Sequence, residues 1–215
     1  MRIQIVISDC IFIHSMSSPA QHAKSVFNEH GGTLRTREAL AAGIHPRTLY
    51  AMRDSGALDQ TGRGLFRLAG MAPLSEPDLI TVAKKVPKAV FCLITALAFH
   101  GLTTQIPHQV QIALPRTARH PRLDYPPIKA FRFSTNSYAA SVEIHQIDGV
   151  SIRVYSAEKT LADAFKYRNK LGLDTAIEAL RNYRNRRKPQ FQKVMEFAKI
   201  CRIERVIRPY LEASL

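Results

Sequence analysis

Apolar positions in the N-terminal part of the chain fall in short blocks at helical spacing, punctuated by glycines. Ser18 can cap a helix with Pro19 in its first position, and Ala23, Val26 and Phe27 supply its apolar face. Gly31-Gly32 ends it. Thr36 can cap a second, short helix running to Ala42, and Gly43 supplies the left-handed position that closes it. Ile44 and His45 make a tight turn, Pro46 opens a third helix to about Ser55, and Gly56 stops it. Leu49 and Met52, three apart, face the core, and Ala39 is small enough to let two helices cross closely. A hairpin follows: Ala57–Thr61, a Gly62-Arg63-Gly64 tip, then Leu65–Leu68. Two short helices joined by a glycine-containing turn are a helix-turn-helix. The hairpin behind them makes it the winged form.

Gly70 to Pro77 carries turn residues and reads as a linker. Beyond it, Leu79, Val82, Ala83 and Val86 predict a helix over Asp78–Val86, ended by Pro87. Val90–His100 is almost wholly apolar and reads as a buried helix closed by Gly101, with His100 a capping or core histidine. Gln109–Leu114 and Ala130–Phe133 read as strands around the basic loop Pro115–Arg122. Val142–Ile147 and Val150–Tyr155 form a hairpin through Asp148-Gly149. Val142 and Ile144 share a face, as do Val150, Ile152 and Val154, which suits an antiparallel sheet buried on one side. Ser156 caps a helix over Ala157–Arg168 with Leu161 and Phe165 inward, and Gly172 ends it. Asp174–Tyr183 follows with Ile177 and Leu180 inward. Phe191–Cys201 and Glu204–Ala213 complete a helical tail, with Val194, Met195, Ala198, Val206, Tyr210 and Leu211 as its core. The fold class is α+β. A winged helix-turn-helix domain over 16–72 precedes a mixed domain over 76–215, with a small, mainly antiparallel sheet and several helices. Residues 1–15 read as an extension ahead of a start at Met16, or else as an extra strand. Arg2 is the only positive charge before Lys24, Gln4, Ser8 and Asp9 break the apolar run, and no small-residue cleavage site follows.

Charge sharpens this picture. The 31 basic and 17 acidic residues leave a net charge of +14. A polyanion is the natural partner. No apolar run approaches the ~20 residues of a membrane span, so nucleic acid is favoured over a membrane. The charge is uneven: net +3 over 1–75, +4 over 76–155 and +7 over 156–215. On a wheel of roughly 100° per residue, Arg47, Tyr50, Ala51 and Asp54 of the third helix point outward, with Thr48 and Arg53 on the flanks. Arg47 and Thr48 occupy the first turn, the part of a recognition helix that meets base edges. Arg63 at the wing tip and Arg35 and Arg37 beside the second helix are placed for phosphates. A second basic surface is drawn from Arg116 and Arg119 in the basic loop and from Arg181, Arg184, Arg186, Arg187 and Lys188 in the run RNYRNRRK. That run is equally a solvated helix end that complements the dipole.

Catalytic chemistry finds little purchase. There is no G-x-S-x-G, P-loop or H-E-x-x-H, and the eight histidines lack metal-ligand spacing. Pro77-Asp78 followed by later carboxylates raises a metal-dependent nuclease as the weaker reading. Such a site needs clustered acids and a nearby lysine. Glu158 and Lys159, however, project about 100° apart on their helix, and Glu158 and Asp163 fall off one face. No catalytic residue, metal or cofactor is assigned. Cys10, Cys92 and Cys201 are too widely spaced for a zinc site and odd in number, which suits reduced thiols in a cytoplasm.

The helix-turn-helix with GRGLFRL, then LITALAFHGLTTQIP, and above all YSAEKTLADAFKYRNKLGLDTAIEAL resemble the AbiEi-type antitoxins of type IV toxin–antitoxin systems. The resemblance covers roughly Ser18 to Leu215. It implies an autorepressor that binds inverted repeats in its own promoter, as a cooperatively binding monomer or weak dimer. It also implies neutralisation of a nucleotidyltransferase-type toxin through the C-terminal domain, without a stable toxin complex, in phage defence. The toxin's own Gly-Ser…Asp-x-Asp motif is absent here. The alternatives are a DNA-processing enzyme targeted by its winged domain and a stand-alone regulator.

Overall fold

The structure, a computed structural model, describes residues 18–213. The expectations for residues 1–15, for Met16 as the start and for Cys10 lie outside the described residues.

Ser18 opens helix α1 (Pro19–Glu29) with a reciprocal cap. Its hydroxyl accepts from the Gln21 N–H, and the Gln21 side chain accepts from the Ser18 N–H. Helices α2 (Thr36–Ala41) and α3 (Pro46–Asp54) follow the short strand β1 (Thr33–Arg35), and strands β2 (Leu58–Gly62) and β3 (Leu65–Leu68) form the wing. The three strands are ordered β1-β3-β2, all antiparallel. Ala23, Phe27, Leu34, Ala39, Ile44, Leu49, Met52 and Phe66 pack into one cluster. Three details differ from the sequence reading. Strand β1 is additional, since three residues are too few to show a period. Thr36 is the first helical residue rather than the cap. The wing tip is the two-residue turn Arg63-Gly64, because Gly62 belongs to β2 and pairs with Leu65 past a bulge.

Behind the linker come α4 (Pro77–Lys85), β4 (Val90–Phe91), α5 (Leu93–Phe99), β5 (Val110–Pro115), β6 (Ile128–Phe133) and α6 (Thr135–Ala139). The hairpin β7 (Val142–Ile147) and β8 (Val150–Tyr155) leads into α7 (Ala157–Lys166), α8 (Arg168–Leu171), α9 (Leu173–Arg184), α10 (Phe191–Cys201) and α11 (Glu204–Glu212). The five strands are ordered β6-β5-β4-β8-β7. Pairs β7/β8 and β4/β5 run antiparallel, whereas β4/β8 and β5/β6 run parallel. The basic loop is the crossover between β5 and β6, which is why a dozen residues separate two neighbouring strands. Leu79 and Val82 of α4 pack on β4, β5 and β8, while α5, α7, α9, α10 and α11 share a helical core around Leu97, Leu161, Phe165, Leu180 and Val194.

Two expectations here are corrected. Val90–Phe91 is a strand and not the start of a helix, and Cys92 remains extended before α5 begins. A fully apolar run carries no period to separate the two. Ile144 is 69% exposed. It lies opposite Arg153 on the edge strand, while His145 and Ile147 lie opposite the buried Ile152 and Val150. Pairing parity, not hydrophobicity, decides which side of β7 faces in.

The two sheets meet along α4. The Lys84 ammonium lies 3.4 Å from the Glu38 carboxylate, and Arg35 donates to the Lys84 carbonyl. The Asp148 carboxylate accepts from both the N–H and the hydroxyl of Ser75.

Candidate nucleic-acid interface

The outer face of α3 is set by how the helix begins and ends. His45 caps it, its ring Nδ1 accepting from the Arg47 N–H at 3.2 Å, and Pro46 fills the first position. Before it, α2 closes on Gly43 in the left-handed region (φ +88). The Ile44 N–H reaches back to Ala39 O and the Gly43 N–H to Leu40 O. That pair of hydrogen bonds closes α2 and sets the turn into α3. Leu49 and Met52 are buried as expected. Arg47, Tyr50 and Ala51 are exposed and Thr48 is half-buried on the flank.

The remaining basic residues expected here separate into different situations. Arg53 is held locally: it pairs with Asp54 at 2.7 Å, and its guanidinium lies 5.1 Å over the Tyr50 ring. Arg37 is exposed in the first turn of α2, and Arg63 is exposed at the wing tip. The two are brought together by Thr36, whose N–H and hydroxyl both donate to Gly64 O. Arg35 is turned away from that group, since its guanidinium donates to the Lys84 carbonyl at 3.1 Å. Its backbone N–H donates to the Glu38 carboxylate, which makes it the cap of α2.

Sequence reasoning missed two neighbours. Lys85, on the last turn of α4, brings its ammonium to the wing at Gly62, where an added Cβ would lie 3.1 Å away. The only signal was the Lys84-Lys85 pair closing a helix assigned to the other domain. Arg67, 8% exposed, donates to Thr33 Oγ1 and Ala72 O and so ties the wing to the linker. It is structural despite its charge.

The second basic set does not form one surface. Tyr183, inside RNYRNRRK, is buried, donates to Glu158 and accepts from the Gln190 N–H. It is a core residue, not an aromatic interleaved among cations. The contact with Glu158 places Arg181, Arg184, Arg186, Arg187 and Lys188 at the N-terminal end of α7. Arg116 instead faces Lys166 and Tyr167 at its C-terminal end, ten residues or ~15 Å along the helix. Arg119 is exposed in the crossover loop.

The acidic residues considered for metal chemistry are already engaged. Lys159 and Asp163 are fully buried and form an ion pair at 2.5 Å. The second oxygen of Asp163 accepts from Cys201 Sγ. Among the described residues no group of histidine, cysteine and carboxylate side chains could hold a metal ion. Burial pushes the Cys92 thiol well up and that of Cys201 to about 11, so both rest as thiols. His100 bonds the Tyr155 carbonyl at 2.7 Å, and burial draws its pKa down. No helix among the described residues is long and apolar enough to cross a membrane.

Residues 24–69 match the family model of the AbiEi antitoxin transcriptional regulators. The resemblance read from the sequence therefore holds over the winged part of the chain. No curated protein matches the sequence. The RV2827C protein from Mycobacterium tuberculosis is similar in structure at 13% identity and a TM-score of 0.48, over 88% of this chain and 79% of that one.

Proposed function

We propose that this chain, an AbiEi-type transcriptional regulator over residues 24–69, is the DNA-binding autorepressor and antitoxin of a type IV toxin–antitoxin pair. The observation that carries the DNA reading is the exposed first turn of α3, in the same winged unit as a basic wing tip held against α2. Arg47 and Thr48 enter the major groove, where Arg can bond a guanine edge bidentately and a Thr methyl can meet thymine. Arg37, Arg63 and Lys85 hold phosphates on either side. The binding region is residues 16–72, and the target is an inverted repeat in the chain's own promoter. Binding is by a cooperatively acting monomer or weak dimer, in the cytoplasm. Residues 76–215 neutralise a nucleotidyltransferase-type toxin without a stable complex, and Arg181, Arg184, Arg186, Arg187 and Lys188 are the basic surface offered there.

Titration of the chain on its promoter duplex against a scrambled duplex tests the DNA reading. Affinity is expected to fall by orders of magnitude between ~50 and ~200 mM salt, as about six or more phosphate contacts require. A nearly flat salt profile would sink it. Co-expression of residues 76–215 with the neighbouring gene's product tests neutralisation, and toxicity that persists beside a folded fragment refutes it. A stand-alone regulator is the second reading. It is favoured by the family match ending at residue 69, short of the region given to the toxin. A neighbouring gene that encodes no nucleotidyltransferase would establish it.

A further inference from the structure

At the C-terminal ends of α7 and α10 the fold leaves a cleft of about 780 Å³. Its walls carry four cations, Arg116, Arg132, Lys166 and Arg202. Ser134, Thr135 and Asn136 add hydroxyl and amide groups, and among the described residues no aspartate or glutamate lines it. The nearest buried carboxylate, Asp163, lies behind Cys201 and is neutralised by Lys159. Four like charges around one recess raise a strong positive potential there.

We propose that this cleft binds the phosphates of a nucleotide-sized ligand, with a nucleoside polyphosphate as the class. Arg132 stands near the end of β6 and Arg116 in the exposed turn that follows β5, and their planar forks suit phosphate oxygens bidentately. Arg132 is aimed by a bond to the Pro115 carbonyl. Arg202 is held at φ +58, a backbone conformation that costs a residue with a Cβ. A glycine or asparagine would close α10 at less cost. Tyr167 and the exposed Ile200 form the apolar part of the wall, where a base can lie.

Two features favour a compact ligand over a nucleic-acid strand. The volume is within the range of small-molecule sites, roughly 300–1,000 Å³. The other cluster of cations, Arg181 to Lys188, lies at the far end of α7 and is not part of the cleft. The inference goes beyond the DNA-binding reading and does not depend on it.

The test is calorimetry on the full chain with inorganic tripolyphosphate, ATP and GTP, and separately with a short single-stranded oligonucleotide. The expected result is that tripolyphosphate and the nucleotides bind and compete. Arg132→Ala combined with Arg202→Asn weakens them about tenfold or more, the scale of one lost charge-assisted contact. Arg187→Ala combined with Lys188→Ala leaves them unchanged. Asparagine tolerates the left-handed conformation at 202. If the combined variant fails to fold, Arg116→Ala alone, in an exposed loop, serves as the reading. Absence of nucleotide binding at millimolar concentration overturns the proposal. So does equal loss in both pairs of variants, or cleft-dependent binding of the oligonucleotide alone. Promoter binding measured alongside distinguishes failure here from failure of the DNA reading.

Discussion

Gly31 and Gly149 lie back to back. A Cβ on Gly149 would sit 2.5 Å from Gly31 Cα, and one on Gly31 would sit 2.7 Å from Gly149 Cα. Gly31 follows α1 and Gly149 forms the tip of the β7/β8 hairpin, so this contact joins the winged unit to the five-stranded sheet. Both glycines have positive φ, +72 and +74. Gly149→Ala is therefore expected to destabilise the chain more than Gly70→Ala, where φ is +78 but no described residue lies within 4 Å. Both substitutions carry the left-handed penalty of about 1 kcal/mol. Only the first must also push the two backbone segments apart. Denaturant midpoints of the two variants read the difference, and equal midpoints would mean that the glycine contact contributes nothing.

The Lys159–Asp163 pair makes a second test possible. Neither side chain reaches solvent, and the ammonium also lies 4.6 Å from the Tyr155 ring centroid and 5.0 Å from that of Phe133. Removing one partner leaves an uncompensated buried charge, a loss of about 3–5 kcal/mol. Lys159→Met is expected to cost that much in urea unfolding, and so is Asp163→Leu. The double replacement is expected to be less damaging than the sum. Strict additivity would show that the two charges do not interact as the geometry requires.

The winged unit was legible because its punctuation is local. Ser18 with Gln21, Gly43 before Pro46, and Gly56 after α3 each act through neighbours in the chain, and the boundaries they mark fall within a residue or two of expectation. The C-terminal fold was legible where a hairpin or cap announces itself, as at Asp148-Gly149 and Ser156. It was not legible where the answer depends on distant partners. The parallel pairing of β5 with β6 is set by the sheet and not by either strand. The burial of Lys159 depends on Asp163, Phe133 and Tyr155 converging from three elements. For the same reason the basic residues could be counted but not sorted. Arg35, Arg63 and Arg67 look alike in sequence, yet one caps α2 against Lys84, one is exposed and one is buried.

Arg35 and Arg37 are expected to behave differently in DNA binding. Arg35 commits its guanidinium to the Lys84 carbonyl, whereas Arg37 is exposed beside the wing tip. Arg37→Ala should lower the slope of log affinity against log salt by about one phosphate contact. Arg35→Ala should leave that slope unchanged and lower thermal stability instead. A fall in slope for Arg35→Ala would put its side chain on the DNA after all.

Arg47 and Arg63 are expected to fail in different ways. Arg47 is exposed in the first turn of α3, opposite Leu49 and Met52, where a side chain meets base edges. Losing a bidentate base contact costs roughly 1–3 kcal/mol at one base position. Arg47→Ala should therefore reduce promoter affinity far more than affinity for a scrambled duplex. Arg63 sits at the wing tip, held against α2 by the bonds from Thr36 to Gly64. A phosphate contact carries no base information, so Arg63→Ala should weaken both duplexes alike. Neither substitution should unfold the protein, because exposed changes of this kind move stability by only about half a kcal/mol. A paired titration of both variants on the two duplexes reads the outcome. If Arg47→Ala keeps the ratio of promoter to scrambled affinity, α3 is not the element that reads sequence.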